Sequence, residues 1–142
     1  MTEFDIKQAD RSRILIADDE PAVRYALRSV IQVYFPDCTC DAVADGHEAL
    51  EYVAKYHPGM ILMDLLMPVM DGLAAFLEIQ KLCIAANWEM PSIIFCTAYA
   101  SSADIGRLIE GGTEHGMLQK PIPNDILISE VQKRLNRPAS DN

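Results

Sequence analysis

Four short apolar runs in this chain carry no polar alternation: Ile14-Leu15-Ile16-Ala17, Met60-Ile61-Leu62-Met63, Ile93-Ile94-Phe95-Cys96 and Met117-Leu118. A strand with one face in water alternates. Continuous runs of this length therefore read as strands covered on both faces, the condition of a parallel sheet between helical layers. The segments between them supply those helices. Val23, Ala26, Leu27, Val30, Ile31 and Tyr34 fall on one helical stripe, and Pro21 suits a first helical position. Asp45 and Glu48 have capping-box spacing ahead of Ala49, Leu50 and Val53, and Pro58 stops that helix. Further helices are expected at 72–85, 102–111 and 124–136. Their stripes are Phe76, Ile79, Leu82 and Cys83; then Ile105, Leu108 and Ile109; then Leu127, Val131 and Leu135.

Cys38 to Ala44 has the position and length of one more strand, with moderate β-propensity. Five βα units then follow in succession, an α/β pattern with helices on both faces of a five-stranded parallel sheet. Right-handed crossovers leave few topologies, and the flavodoxin-like order 2-1-3-4-5 is the common five-strand solution. One domain is expected over 13–136, with an N-terminal tail at 1–12 and a C-terminal tail or linker start at 137–142.

Charge and cysteine usage narrow the function. A net charge of −9 argues against unaided binding to nucleic acid or an anionic membrane. No apolar run approaches the roughly 18–20 residues of a membrane span, and Met1 to Ser12 has no apolar signal core. Cys38, Cys40, Cys83 and Cys96 lie in apolar stretches without CxxC spacing, which favours reduced, buried thiols and a cytoplasmic setting over zinc or disulfides.

In an open α/β sheet, ligands bind beyond the carboxyl ends of the strands, where strand order reverses. For order 2-1-3-4-5 that point lies between the first and third strands, which end at Asp18-Asp19 and at Asp64. Thr97 ends the fourth strand and Lys120 the fifth. Any one of these could be a turn residue, a helix cap or a solvated lysine; topology brings all five to one rim. Close carboxylates repel unless a cation holds them, and Mg²⁺, which prefers few carboxylates, several waters and a phosphate oxygen, suits an open rim. A carboxylate can also act as a nucleophile and form an acyl phosphate, with a metal, Lys120 and the Thr97 hydroxyl neutralising the phosphoryl oxygens.

Asp18-Asp19-Glu20, Met63-Asp64-Leu65-Leu66-Met67-Pro68-Val69-Met70-Asp71-Gly72, Thr97-Ala98 and Lys120-Pro121 together resemble the signatures of response-regulator receiver domains of two-component signalling. The resemblance runs from about Arg13 to Leu135. It implies that Asp64 is the phosphoacceptor and contributes to Mg²⁺ binding. Asp19 would ligate the metal directly, Asp18 through water, and Leu66 through its backbone carbonyl. Thr97 would be the switch hydroxyl, Lys120 would pair with the phosphoryl group, and the Lys120–Pro121 bond would be cis. The implied partners are a histidine kinase or phosphotransfer protein as donor and an unidentified downstream protein. The chain would signal rather than turn over a substrate, as a stand-alone regulator, a phosphorelay intermediate or a piece of a longer one.

Two departures from the family pattern stand out. Met117 occupies a position where the family commonly has Tyr or Phe, and Leu66, two after Asp64, and Tyr99, two after Thr97, are not obvious helpers for an attacking water. An aspartyl phosphatase of the haloacid-dehalogenase type would share the nucleophile, but it needs a second acid where Leu66 stands. No GxxxxGK[ST] or GxGxxG motif supports a nucleotide enzyme. His47, His57 and His115 lack metal-ligand spacing. No helix-turn-helix or catalytic pattern follows Leu135, so output is expected through a partner or from outside these residues.

Overall fold

The computed structural model describes residues 5–98, 106 and 115–139. In chain order its elements are β1 (Asp10–Ala17), α1 (Pro21–Tyr34), β2 (Thr39–Val43), α2 (Gly46–Tyr56), β3 (Pro58–Met63), α3 (Gly72–Ala86), β4 (Ser92–Thr97), β5 (Gly116–Gln119) and α4 (Asn124–Leu135). All strands pair in parallel, in the order β2-β1-β3-β4-β5. The helix expected at 102–111 lies outside the described residues, apart from Gly106.

The apolar runs divide their side chains between two cores, as period-2 geometry requires. Leu15, Ala17, Ile61, Met63, Ile93 and Phe95 face α2 and α3. Their neighbours Ile14, Ile16, Met60, Leu62, Ile94 and Cys96 face α1 and α4. Every residue of β3 and β4 is buried. All four cysteines are free thiols, and burial pushes Cys40 and Cys96 up to about 12.

Local signals act largely as their chemistry dictates. Asp45 accepts from the Glu48 amide at 2.8 Å, while the Glu48 carboxylate reaches the Ala44 amide, one residue further back than the usual box. Helix α2 ends at Tyr56, where His57 turns left-handed (φ 47) ahead of Pro58. Helix α3 is capped by Asp71, which accepts from Ala74 N–H at 2.8 Å.

Three expectations need correction. Tyr34, assigned to the buried stripe of α1, is 56% exposed; the helix ends there and Phe35, at the C-cap, turns into the core instead. Residues 5–12 are not a loose tail. Strand β1 starts at Asp10, Lys7 bridges to Trp88, and Glu89, buried under the sheet's amino-end rim, accepts from Ala9 N–H at 2.9 Å and from Arg11 at 2.8 Å. The start of the 137–142 tail is likewise fixed: Arg137 donates to the Met90 carbonyl at 3.1 Å, and Arg11 to that of Pro138 at 3.2 Å.

Candidate functional site

The carboxyl ends of β1, β3, β4 and β5 converge on one rim. Hydrogen bonds from Asp18 N–H to Val43 O (3.1 Å) and from Asp64 N–H to Ala17 O (2.9 Å) carry the sheet ladder past the strand ends. Two acidic side chains are thereby fixed at the switch point between β1 and β3. Both are buried, Asp18 at 1% and Asp64 at 8% exposure. Thr97, also buried, ends β4, and its carbonyl accepts from Lys120 N–H at 2.6 Å. That bond sets Lys120 at the end of β5, just before a cis bond to Pro121.

The side chains of Lys120, Asp18 and Asp64 meet. Lys120 Nζ lies 2.6 Å from Asp18 Oδ2 and 3.3 Å from Asp64 Oδ2. Burial on its own pulls the ammonium down, but the hydrogen bond and charge of Asp18, with that of Asp64, carry it above the ordinary lysine value. Burial pushes the Asp64 carboxyl above its usual range; the Lys120 charge opposes this and the Asp18 charge adds to it. Asp18 Oδ1 accepts from Glu20 N–H at 2.9 Å, closing a tight turn into α1.

Asp19 and Glu20 are exposed, and with Asp18 they offer carboxylate oxygens within 4.8 Å of one another. The donor chemistry fits a hard divalent cation: several carboxylates, a solvent-facing side for retained waters, and a lysine ammonium already standing in as a cation between Asp18 and Asp64. Sequence reasoning gave no role to Glu20, whose place in the acidic run was the available signal. It also passed over Arg24, which donates to the Asp18 carbonyl at 2.7 Å; one arginine on a helix gives no warning of this.

The loop after Asp64 is tied back on itself by main-chain hydrogen bonds. Leu66 N–H points at Asp64 Oδ1 at 3.4 Å, and the Leu66 side chain is 56% exposed. Gly72 N–H donates to Leu65 O at 2.9 Å; a Cβ on Gly72 would lie 2.2 Å from the Asp64 carbonyl, so only glycine allows this approach. In the β4–β5 register Thr97 pairs with Gln119 and Phe95 with Met117. Met117 packs into the core shared by Phe76 and Phe95. Tyr99 lies outside the described residues.

A family model described as "Response regulator receiver domain" matches residues 14–132. The chain is 29% identical over 119 residues to a chemotaxis protein CheY of Halobacterium salinarum, covering 84% of this chain and 92% of that protein. It is 30% identical to a response regulator MprA of Mycobacterium leprae, covering 91% of this chain but 53% of the relative. Against that regulator, and a probable transcriptional regulator ycf27 of Porphyridium aerugineum of which 52% is covered, the chain spans about half the length. Among solved structures it is similar to the chemotaxis response regulator CheY4 of Vibrio cholerae (TM-score 0.68, 26% identity, 86% of this chain and 97% of that one). It also resembles a Francisella response regulator receiver domain (TM-score 0.68, 25% identity, 87% and 95%).

Proposed function

The chain belongs to the response regulator receiver domain family, and on that premise we propose that it takes a phosphoryl group onto Asp64 from a histidine-bearing donor and thereby switches a partner-binding surface. The observation that carries this reading is the buried Asp18–Lys120–Asp64 arrangement at the switch point of the sheet. Asp64 supplies the nucleophile: one carboxylate oxygen forms the O–P bond while the donor's N–P bond breaks, and the histidine nitrogen leaves with the electron pair. Burial slows competition from water but favours the protonated carboxyl, and the Lys120 charge keeps the anion available. Lys120 then follows the added charge onto a phosphoryl oxygen, and Thr97 donates its hydroxyl to another.

Asp18, Asp19, Asp64 and the Leu66 carbonyl would hold Mg²⁺, with Asp18 acting through water. When bound, the ion neutralises charge on the transferred group. The donor's approach is supported by an apolar cavity of about 650 Å³ between α1 and α4 that opens beside Lys120. Ala22 and Ala26 leave room on α1 for a partner helix, and Pro121 and Ile122 line the other side. We take 13–136, together with residues 7–12 and 137–138 that are bonded to it, as the switching unit, acting in signalling rather than in turnover. Among the described residues no helix is long and apolar enough to cross a membrane.

Acetyl phosphate with Mg²⁺ should add one phosphate, read by intact mass. Asp64→Asn or EDTA should abolish the addition. Phosphorylation that persists in Asp64→Asn would refute the assignment of the acceptor.

A further inference from the structure

Gly46 opens α2 and carries no side chain, yet its N–H donates to the Met70 carbonyl at 2.9 Å, tying a separate helix to the loop that follows Asp64. That loop is strained. Val69 sits in the left-handed region (φ 68), with Met70 N–H bonded across it to Pro68 O at 2.7 Å. A β-branched residue is an outlier in this conformation and holds it only when its surroundings over-determine it. Packing of the Val69 side chain does not do so, because that side chain is 83% exposed. The opposing force comes from main-chain tethers on either side: Gly72 N–H to Leu65 O, and Gly46 N–H to Met70 O. The Gly46 tether requires a bare Cα. A Cβ there would lie 2.3 Å from the Met70 oxygen and 3.0 Å from Ala75 Cβ.

We infer that Gly46 is a positioning residue for the metal: by fixing the Met70 carbonyl it holds, through the stiff turn at Val69, the Leu66 carbonyl in its ligating place. This rests on the Mg²⁺-dependent reading above. Displacing Met70 outward shifts the turn at Val69, whose strained φ of 68° leaves it little room to take up the change, and the movement reaches Leu66. A glycine at 69 would absorb it.

Calorimetric Mg²⁺ titrations of the whole chain test this. Gly46→Ala should weaken Mg²⁺ binding by about tenfold or more, the range seen when an outer support of a metal ligand is lost. Adding Val69→Gly to Gly46→Ala should recover most of the affinity. Val53→Ala, which opens the buried face of α2 two turns along from Gly46 and leaves the Gly46 tether in place, should destabilise the fold and leave Mg²⁺ affinity unchanged. In the wild-type chain, reciprocity requires that Mg²⁺ slow exchange of the Gly46 amide more than that of the His57 amide, which bonds to Val53 at the other end of α2. Wild-type affinity in Gly46→Ala, no recovery in the double variant, or a Gly46 amide indifferent to bound Mg²⁺ would each overturn the inference; the exchange measurement stands even if Gly46→Ala does not fold. A wild-type chain that takes up no Mg²⁺ overturns the metal reading itself.

Discussion

Lys120 stands between two buried carboxylates, closer to Asp18 than to Asp64, and a phosphoryl group on Asp64 would change that balance by placing new negative charge on the more distant side. What happens afterwards depends on Leu66. Leu66 stands two residues after Asp64, the proposed acceptor, and its exposed side chain has no atom that can orient a water in line with phosphorus. The phosphorylated state should therefore be long-lived, and Leu66→Asn should speed loss of phosphate several-fold, measured by intact mass after donor removal. An unchanged decay rate would mean that another residue places the water. That Asp18, Asp64 and Lys120 meet was legible in the sequence, because parallel strands with apolar runs fix where their carboxyl ends lie. The closer pairing of Lys120 with Asp18 was not, since it depends on side-chain conformations that no spacing encodes.

At the level of elements, the coupling between β4 and β5 governs how far a change at Thr97 travels. Register places Met117 opposite Phe95, on the face of the sheet that Thr97 shares and two pairs back from it. Methionine is unbranched, so it can follow a moving threonine gradually, and it has no hydroxyl to define an inward or outward state. The isolated chain should respond modestly to beryllofluoride with Mg²⁺ in β5 and α4, and a binding partner would supply more of the discrimination. Met117→Tyr should enlarge the amide shifts there and make them two-state. Large changes in the wild-type chain, unaltered by Met117→Tyr, would make the residue irrelevant to switching. Buried central strands such as β3 and β4 announce themselves through unbroken apolar runs, whereas β2, an edge strand with only Cys40 buried, reads faintly. Phe35 replaced Tyr34 in the core because the helix ends there, and the signal for that terminus was Pro36, directly after the C-cap, which periodicity alone does not weigh.

Across the whole molecule the two rims of the sheet differ in kind: the carboxyl-end rim gathers the candidate chemistry, while the amino-end rim is a structural junction. Residues 5–11 are mostly polar and gave no sequence signal, because what fixes them is Glu89, about 80 residues away in the chain. Beside Glu89, His57 is buried at the end of α2, stacked on Trp88 with ring centroids 4.3 Å apart. Its Nε2 lies 2.7 Å from the Glu89 carbonyl and so donates, which leaves Nδ1 to receive any further proton, and that atom is buried without a partner. Burial pulls the imidazole below its ordinary value of 6.5; the bond to the Glu89 carbonyl opposes this, and the nearby Lys7 charge adds to it. A lowered folded-state value means that, as pH falls below 6.5, the unfolded chain binds a proton that the folded chain resists. The stability contributed by neutral His57 is thus fully present above 6.5 and is lost as pH falls toward the folded-state value. Denaturant unfolding should show stability declining between pH 7 and pH 5. His57→Asn, which tolerates the left-handed φ of 47°, should be less stable at pH 7 but show a shallower decline. His47 and His115 remain in both proteins, so the difference between the two slopes isolates His57. Equal slopes would show that the imidazole does not titrate against folding, and that the stacked rim is insensitive to its protonation.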